Sequence, residues 1–217
     1  MSLFVTFEGP DGSGKSTQIQ RAAEFLRNLG HEVLLTREPG GTRIGDQIRD
    51  IVHDVANTEM CSPAEVLLYS ASRAQLVHQV IRPHLKKGGV VVCDRYADST
   101  FAYQGYGRGM DADALRLITQ FATQQLKPDL TIYLDLDPAE GLKRKQSANA
   151  TGEGEWNRMD QLALDFHRRV RAGYLEMARS EPDRWLVIDA TDTIEAVSQA
   201  ICQRLESYFA QTPHSRV

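Results

Sequence analysis

Glycines and a lysine at fixed spacing near the start of the chain form a pattern that can hold a polyphosphate. Residues 9–16 (GPDGSGKS) fit the phosphate-binding loop pattern G-x-x-x-x-G-K-[ST]. The glycines let consecutive backbone N–H groups turn inward around phosphates, and the N-terminus of a following helix adds its positive dipole end. Lys15 can reach the β- and γ-phosphates, and the Ser16 hydroxyl can ligate Mg²⁺. An accidental match arises in roughly 1 in 100 chains of this length, so we expect a bound nucleoside triphosphate.

A carboxylate at the end of an apolar run is a second candidate for Mg²⁺. Asp94 directly follows residues 90–93 (VVVC), which are typical of a buried strand. A carboxylate in this place can hold the metal directly or through water. The alternative is an ordinary strand-end aspartate that caps a helix. The phosphate-binding loop favours the metal, because it gives an independent reason for one.

Arginines close to the predicted strand ends indicate a second anionic ligand. The set comprises Arg37, Arg43, Arg49, Arg73, Arg95 and Arg108. Guanidinium groups bind phosphate through two parallel hydrogen bonds, and the chain as a whole is acidic. For Arg43 and Arg108, surface ion pairs are the favoured interpretation. Arg49 and Arg95 are better candidates, because one faces the turn at residues 37–42 and the other flanks Asp94.

Aromatic and amide side chains provide weaker signals for a nucleobase. Tyr69 and Arg73 are four residues apart on one predicted helix, so both can point at the same spot. From the pattern alone, a core position for Tyr69 is favoured over stacking on a base. Tyr103 and Gln104 are equally compatible with packing.

The elements that must position these residues follow from the hydrophobic pattern. Apolar runs predict strands at residues 3–7, 31–36, 90–93, 130–136 and 185–189, and helical patterns lie between them. This alternation predicts an α/β fold with a five-stranded parallel sheet and helices on both faces. Ligands of such sheets bind at the carboxyl ends of the strands, where the candidate residues fall.

Several boundaries are predicted from local signals. Ser62 is expected as an N-cap, with Pro63 in the first turn and Glu65 completing a capping box. Pro83 is expected to bend or end that helix. The glycine-rich residues 105–109 are expected between helices. Residues 146–155 (QSANATGEGE) lack apolar periodicity and predict a flexible segment, and residues 210–217 a frayed tail.

Composition restricts the class of protein. The 217 residues suit a single α/β domain, 1–217, with a small mobile insert. A net charge of −4 argues against nonspecific binding to nucleic acid or anionic membrane, and no apolar run approaches the ~20 residues that span a bilayer. The start of the chain lacks signal-peptide features. Three distant cysteines and six histidines show no metal-ligand spacing, so we expect reduced core thiols and a cytoplasmic location.

Four segments together resemble the thymidylate kinase family of bacteria, over nearly the whole chain. These are GPDGSGKST at 9–17, TREPGGT at 36–42, DRYADSTFAYQG at 94–105, and residues 143–174. The third is the most specific, because it reproduces the family's own pattern. The resemblance implies a P-loop kinase fold with a mobile lid, phosphorylation of dTMP to dTDP by ATP with Mg²⁺, and a homodimer.

The resemblance also implies roles for individual residues. ATP would be bound by Gly9, Pro10, Asp11, Gly12, Ser13, Gly14, Lys15, Ser16 and Thr17, and Mg²⁺ by Ser16 and Asp94. dTMP would be bound by Glu38, Pro39, Arg49, Tyr69, Arg73, Arg95, Ser99, Thr100, Tyr103 and Gln104. Asp11 matches a carboxylate near the 3′-hydroxyl of dTMP, and Tyr103 a ring that crowds the 2′ position. For Tyr69 the resemblance implies stacking on thymine, in place of the core position that the pattern alone favours.

The family's catalytic arginine has no unique counterpart. Family members carry it either in the phosphate-binding loop or in the lid, and here neither the loop nor residues 146–157 contain an arginine. The candidates are Arg144 or Lys145 before that stretch and Arg158 after it. We place Arg144 and Arg158 with Lys15, Arg95 and Asp11 among the expected catalytic residues.

Two other functions remain open at this point. Another nucleoside monophosphate kinase or deoxynucleoside kinase would share most of these motifs and differ in its acceptor. A P-loop switch protein is less favoured, because the sequence has no N-K-x-D motif that reads guanine.

Overall fold

The computed structural model describes residues 2–152 and 156–211. Its strands are β1 (Leu3–Glu8), β2 (Val33–Arg37), β3 (Val90–Asp94), β4 (Leu130–Asp135) and β5 (Trp185–Asp189). They form one sheet in the order β2-β3-β1-β4-β5, and every neighbouring pair is parallel. The predicted five-stranded parallel sheet is confirmed. Because β1 lies between β3 and β4, the loops after β1 and β3 meet at the same edge.

Helices of the described part connect the strands. The α-helices are α1 (Lys15–Asn28), α2 (Arg43–His53), α3 (Ser62–Leu76), α4 (Arg82–Lys86), α5 (Ala97–Thr100), α6 (Ala112–Thr123), α7 (Pro138–Ala150), α8 (Leu164–Ser180) and α9 (Ile194–Gln211). Two π-helical segments (Val77–Ile81 and Phe101–Gly107) and one 3₁₀ helix (Arg158–Gln161) complete them. None of these helices is long and apolar enough to cross a membrane.

The sheet is covered on both faces because its central strands carry apolar side chains on both faces. In β1, Leu3, Val5 and Phe7 pack against α1 and α9, whereas Phe4 packs against the segment around Leu76. All of these β1 side chains are buried. Burying each one stabilises the fold by about 1.5–3 kcal/mol. This core fixes the strand ends that carry the candidate site.

π-helical segments carry the chain through two expected breaks. The helix that starts as α3 passes through the π-helical turn Val77–Ile81 into α4, which contains Pro83 and ends at Lys86. The glycine-rich stretch expected between helices lies largely within the π-helical segment Phe101–Gly107. Such turns widen the helix locally and change which side chains point to one face.

The start of α3 was predicted wrongly. Its N-cap is Cys61, which makes no side-chain capping hydrogen bond, and Ser62 is already helical. Glu65 does not cap the helix; its side chain is completely buried. Cys61 itself is exposed, so it is not a core thiol, although all three cysteines are free.

The segment expected to be flexible is helical in its first part. Residues 146–150 form the last turns of α7, which starts at Pro138 after an Asp137 side-chain cap. An exposed helix end needs no apolar periodicity, and Gln146, Ala148 and Ala150 favour helix. Residues 153–155 of this segment lie outside the described residues. Of the tail expected to be frayed, Ala210 and Gln211 are the last residues of α9, and residues 212–217 also lie outside the described residues.

Candidate active site

The loop between β1 and α1 has the backbone that its glycines require. Gly9, Gly12 and Gly14 have φ angles of 141°, 79° and 86°. A Cβ atom at Gly9 would lie 2.6 Å from the carbonyl oxygen of Leu134, and the close approach to the neighbouring strand therefore excludes a side chain. Gly14 is the N-cap of α1. The positive end of this helix thus faces the space enclosed by the loop.

Lys15 is the first residue of α1 and is nearly buried, with 7% of its surface exposed. Its Nζ atom donates to the carbonyl oxygens of Gly9 (3.2 Å) and Pro10 (3.1 Å) and lies 3.4 Å from Asp11 Oδ1. Burial, and next the charge of Arg95, lower the pKa of Lys15. The ammonium group is therefore held over the loop, where a bound anion would stabilise its charged form.

Asp11 gathers three cations at the tip of the loop. Arg95 Nη2 donates to its Oδ1 atom (2.8 Å), Lys15 lies on the same oxygen, and Lys145 Nζ donates to Oδ2. Burial raises the pKa of Asp11, but the three cations outweigh it and hold that pKa well below its usual value. The carboxylate therefore holds basic groups from β3 and α7 around the loop.

Arg95 follows β3 in a left-handed conformation, with a φ angle of 65°. Its N–H donates to the carbonyl oxygen of Phe7 (2.9 Å), and its guanidinium lies over the Tyr103 ring, 5.3 Å from the centroid. The Nη1 atom is buried without a hydrogen-bond partner among the described residues. A buried cationic donor that lacks a partner is a binding point for an anion.

Asp94, the last residue of β3, lies at the same edge. Its Oδ1 atom is buried and has no hydrogen-bond partner in the part of the chain that the structure describes. Ser16 is exposed at the start of α1. One carboxylate oxygen and one hydroxyl fit the share of ligands that proteins give to Mg²⁺, the rest coming from phosphate and water. The described residues contain no group of three or more His, Cys, Asp or Glu side chains that could hold a metal by themselves.

An ion pair closes the other end of the site. Arg73 of α3 donates from Nε to Glu38 Oε2 (2.8 Å) and from Nη1 to Thr100 Oγ1 (2.9 Å), and it is only 2% exposed. Burial raises the pKa of the Glu38 carboxyl despite Arg73, which lowers it. Next to this pair, Arg49 Nη1 lies 3.4 Å from the carbonyl oxygen of Pro39.

The basic residues around the lid point in three directions. Lys145 is buried and joins Asp11 to Asp160, whose Oδ2 atom lies 2.6 Å from Nζ. Arg144 is exposed and pairs with Glu140 on its own helix. Arg158 is buried and pairs with Glu65. Of the three candidates, Lys145 therefore makes the ionic contact with the phosphate-binding loop.

These groups surround a cavity of about 560 Å³. Its walls are lined by Pro10, Asp11, Gly12, Gly14, Lys15, Ser16, Thr17, Glu38, Pro39, Arg49, Tyr69, Arg73, Asp94, Arg95, Ser99, Thr100, Tyr103, Gln104 and Arg144, all of them expected site residues. Gly9, Ser13 and Arg158 do not line it, although they were expected at the site. The lining thus combines the phosphate-binding loop with groups suited to a nucleobase, among them Tyr69, Arg73 and Gln104.

The sequence matches a known family over most of its length. A family model described as thymidylate kinase matches residues 7–201. The chain belongs to the thymidylate kinase family. The resemblance seen in its motifs is confirmed.

Individual thymidylate kinases are similar over nearly the full chain. The thymidylate kinase of Roseiflexus sp. (strain RS-1) is 57% identical over 217 residues, which cover 97% of this chain and 96% of the relative. That of Deinococcus radiodurans is 53% identical over 197 residues, covering 89% and 93%. The crystal structure of thymidylate kinase from Ehrlichia chaffeensis has a TM-score of 0.75 at 33% identity and covers 94% of this chain and 98% of that one. The P-loop kinase fold is thereby confirmed.

Within this thymidylate kinase fold, the sequence reasoning missed the carboxylate of Glu8. It is completely buried at the end of β1 and accepts hydrogen bonds from the Tyr96 N–H (2.9 Å) and from the hydroxyls of Ser99 and Tyr174 (2.7 Å each). Burial, and next repulsion by Asp98, raise the pKa of Glu8 to about 7. A charged residue directly after the apolar residues 3–7 was the available signal.

Proposed function

We propose that this chain transfers the γ-phosphoryl group of ATP to dTMP, giving ADP and dTDP. The supporting observation is one cavity whose lining combines the phosphate-binding loop with the Arg73–Glu38 pair, Tyr69 and Gln104. Names of relatives agree with this activity, since the matched proteins are thymidylate kinases. We treat residues 1–217 as one catalytic domain.

The loop end of the cavity is suited to ATP. Lys15 Nζ donates to carbonyls of its own loop, and phosphate oxygens would replace these weak neutral acceptors with charged ones. Ser16 and Asp94 would hold Mg²⁺, which neutralises charge on the phosphates when bound. The transition state is loose and in line, so positioning and charge stabilisation by the protein supply most of the catalysis.

The other end is suited to dTMP. Arg95 Nη1 has no partner among the described residues, so it can bind the dTMP phosphate while Nη2 stays on Asp11. Arg49 reaches the same region beside Pro39. Tyr69 is half-buried on the cavity wall, which leaves part of its ring available to stack on thymine. The lid around residues 143–160 would exclude water when both substrates are bound.

A panel of acceptors with ATP tests this function directly. We expect turnover with dTMP to exceed that with dCMP, dAMP, dGMP and thymidine. Preference for another monophosphate, or for the nucleoside, would identify the alternative kinase. Retention of tightly bound GDP without phosphoryl transfer would instead indicate a P-loop switch.

Arg49→Ala is expected to raise the KM for dTMP by about tenfold or more and to change the KM for ATP little. The loss of one charge-assisted contact costs about 1.5–3 kcal/mol. Steady-state kinetics with each substrate varied in turn measure both constants. Arg43→Ala is the matched control, because Arg43 is exposed one turn and a half earlier on α2. Equal effects of Arg49→Ala on both KM values would place this arginine outside the acceptor pocket.

We also propose that the chain forms a homodimer through α3 and α6. These two helices pack side by side, and their outer face carries Leu67, Leu117 and Phe121, which are 57%, 68% and 87% exposed. Leu117 and Phe121 are four residues apart, so they share one side of α6. Neighbouring large apolar side chains on a surface indicate a contact with another protein.

Phe121→Asp is expected to shift the protein from dimer to the monomer mass of 24.3 kDa, because a carboxylate would be buried in an apolar contact. Sedimentation velocity at micromolar concentration measures the mass. Phe121→Leu, which keeps the face apolar, should remain dimeric. A dimer that survives Phe121→Asp would exclude this face as the interface.

A cytoplasmic location is proposed from the chemistry of the cysteines. Cys61, Cys93 and Cys202 are all free, and free thiols persist in a reducing compartment.

A further inference from the structure

A buried carboxylate behind the cavity wall lies at the centre of a network of donors. Glu65, on α3, is completely buried. Its Oε1 atom accepts from Gln104 Nε2 (2.9 Å) and Arg108 Nε (2.8 Å), and its Oε2 atom accepts from Arg108 Nη2 (2.7 Å) and from Arg158 Nη2. Burial raises the pKa of Glu65, but hydrogen bonds from Arg108, Gln104 and Arg158 outweigh it and lower that pKa. The group is an ionised carboxylate, which can only accept hydrogen bonds.

This carboxylate determines the orientation of the Gln104 side-chain amide. A carboxamide has a donor side and an acceptor side, and only its NH₂ group can bond to a carboxylate. Nε2 of Gln104 must therefore face Glu65. Gln104 is 3% exposed and lines the cavity, and its Oε1 atom makes no hydrogen bond to the described residues. The side that Gln104 offers to a ligand is the acceptor.

The position of this acceptor matches the nucleobase end of the cavity. Tyr69, the proposed stacking ring, lies one helical turn after Glu65 on α3, and Gln104 lies on the π-helical segment opposite. The Watson–Crick edge of a stacked pyrimidine carries the ring nitrogen N3. In thymine this nitrogen is a donor, N3–H, whereas in cytosine it is an acceptor.

We infer that Glu65 is a specificity-determining positioning residue, which fixes Gln104 as an acceptor and thereby selects a pyrimidine whose N3 carries hydrogen. Cytosine at this position would set its N3 acceptor against the acceptor of Gln104, which is only 3% exposed. Sites built around a buried hydrogen bond reject a ligand that leaves its groups unpaired. The inference rests on the proposed function, because it takes the acceptor to be a pyrimidine nucleotide stacked near Tyr69.

The test compares kcat/KM for dTMP with that for 5-methyl-dCMP. These two nucleotides share the sugar, phosphate and methyl group and differ only at N3 and at position 4. In Glu65→Gln, residue 65 can donate to Gln104 Oε1, so the Gln104 amide can turn and offer its NH₂ group to cytosine N3. We expect the preference for dTMP to fall by tenfold or more.

Two further variants separate selectivity from a structural role. Arg108→Gln removes donors from the Glu65 network but leaves the carboxylate facing Gln104, and its preference should equal that of the wild type. The double variant Glu65→Gln/Gln104→Glu places an acceptor-only group at the cavity wall again and should recover the preference for dTMP. A structural defect would lower kcat/KM for both substrates alike, and the second substitution would not restore it.

The outcomes that overturn the inference are distinct from failure of the proposed function. An unchanged preference in folded Glu65→Gln means that Glu65 does not set selectivity. If that variant does not fold, Gln104→Leu asks the same question, since an unchanged preference there shows that the amide does not read N3. Failure of dTMP phosphorylation itself appears in the wild-type measurement, before any variant is compared.

Discussion

Lys15→Ala is expected to lower kcat by about 10³-fold while the protein stays folded. Lys15 is buried, and its Nζ atom bonds to Gly9, Pro10 and Asp11 of its own loop, so its charge serves the loop and not the apolar core. Removing one preorganised charge from a site of charge development typically costs 10²–10³-fold or more. A coupled assay of ADP release measures the turnover, and circular dichroism with a thermal melt checks the fold.

A matched variant controls for the loss of one positive charge. Lys143 is an exposed residue of α7 at the start of the lid, and Lys143→Ala should keep normal turnover. Retention of a tenth or more of wild-type turnover by folded Lys15→Ala would mean that this lysine does not stabilise the transferring phosphoryl group.

Among the basic residues of the lid, Lys145→Ala is expected to cause the largest loss of turnover, ~10²-fold. Its ammonium joins the loop carboxylate Asp11 to Asp160 of the 3₁₀ helix, and this places it beside Lys15 and Arg95. A substrate phosphate can compete with either carboxylate for this cation. Loss of Lys145 therefore removes positive charge at the reacting end of the cavity and releases the lid from the loop.

The neighbouring residue supplies the comparison for this prediction. Arg144 is exposed, pairs with Glu140, and only its Nη1 atom approaches the loop, at 3.5 Å from the carbonyl oxygen of Gly12. Arg144→Ala should therefore lose less turnover than Lys145→Ala under saturating ATP and dTMP. A larger loss in Arg144→Ala would return the lid's phosphate contact to the arginine that sequence reasoning included among the catalytic residues.

Arg158 contacts a different part of the fold from Lys145. Arg158 is buried against Glu65 and the carbonyl oxygen of Val52 (3.2 Å), on the side of α2 and α3. It is thus part of the wall behind the acceptor pocket and does not line the cavity. Arg158, expected among the catalytic residues, is therefore held away from the phosphate-binding loop, which Lys145 contacts through Asp11.

The sequence by itself determined the sheet and the two ends of the site. The spacing of Gly9, Gly14 and Lys15 requires a loop between a strand and a helix, because only that order joins inward N–H groups to a helix dipole. The apolar run at residues 90–93 placed Asp94 and Arg95 at the end of a strand. Since parallel strands end at one edge of the sheet, these two residues had to lie near the loop that follows β1.

Only the tertiary structure decided which charged groups pair. Glu65 satisfies the local pattern of a capping box, yet it bonds to Gln104, Arg108 and Arg158, which are 39 to 93 residues away. Lys145 and Asp11 are separated by 134 residues. Local propensity concerns only neighbours within a few residues, whereas the partner of a long charged side chain depends on which elements pack against it. The contacts of Arg144, Lys145 and Arg158, and the orientation of the Gln104 amide, therefore depend on how the helices pack.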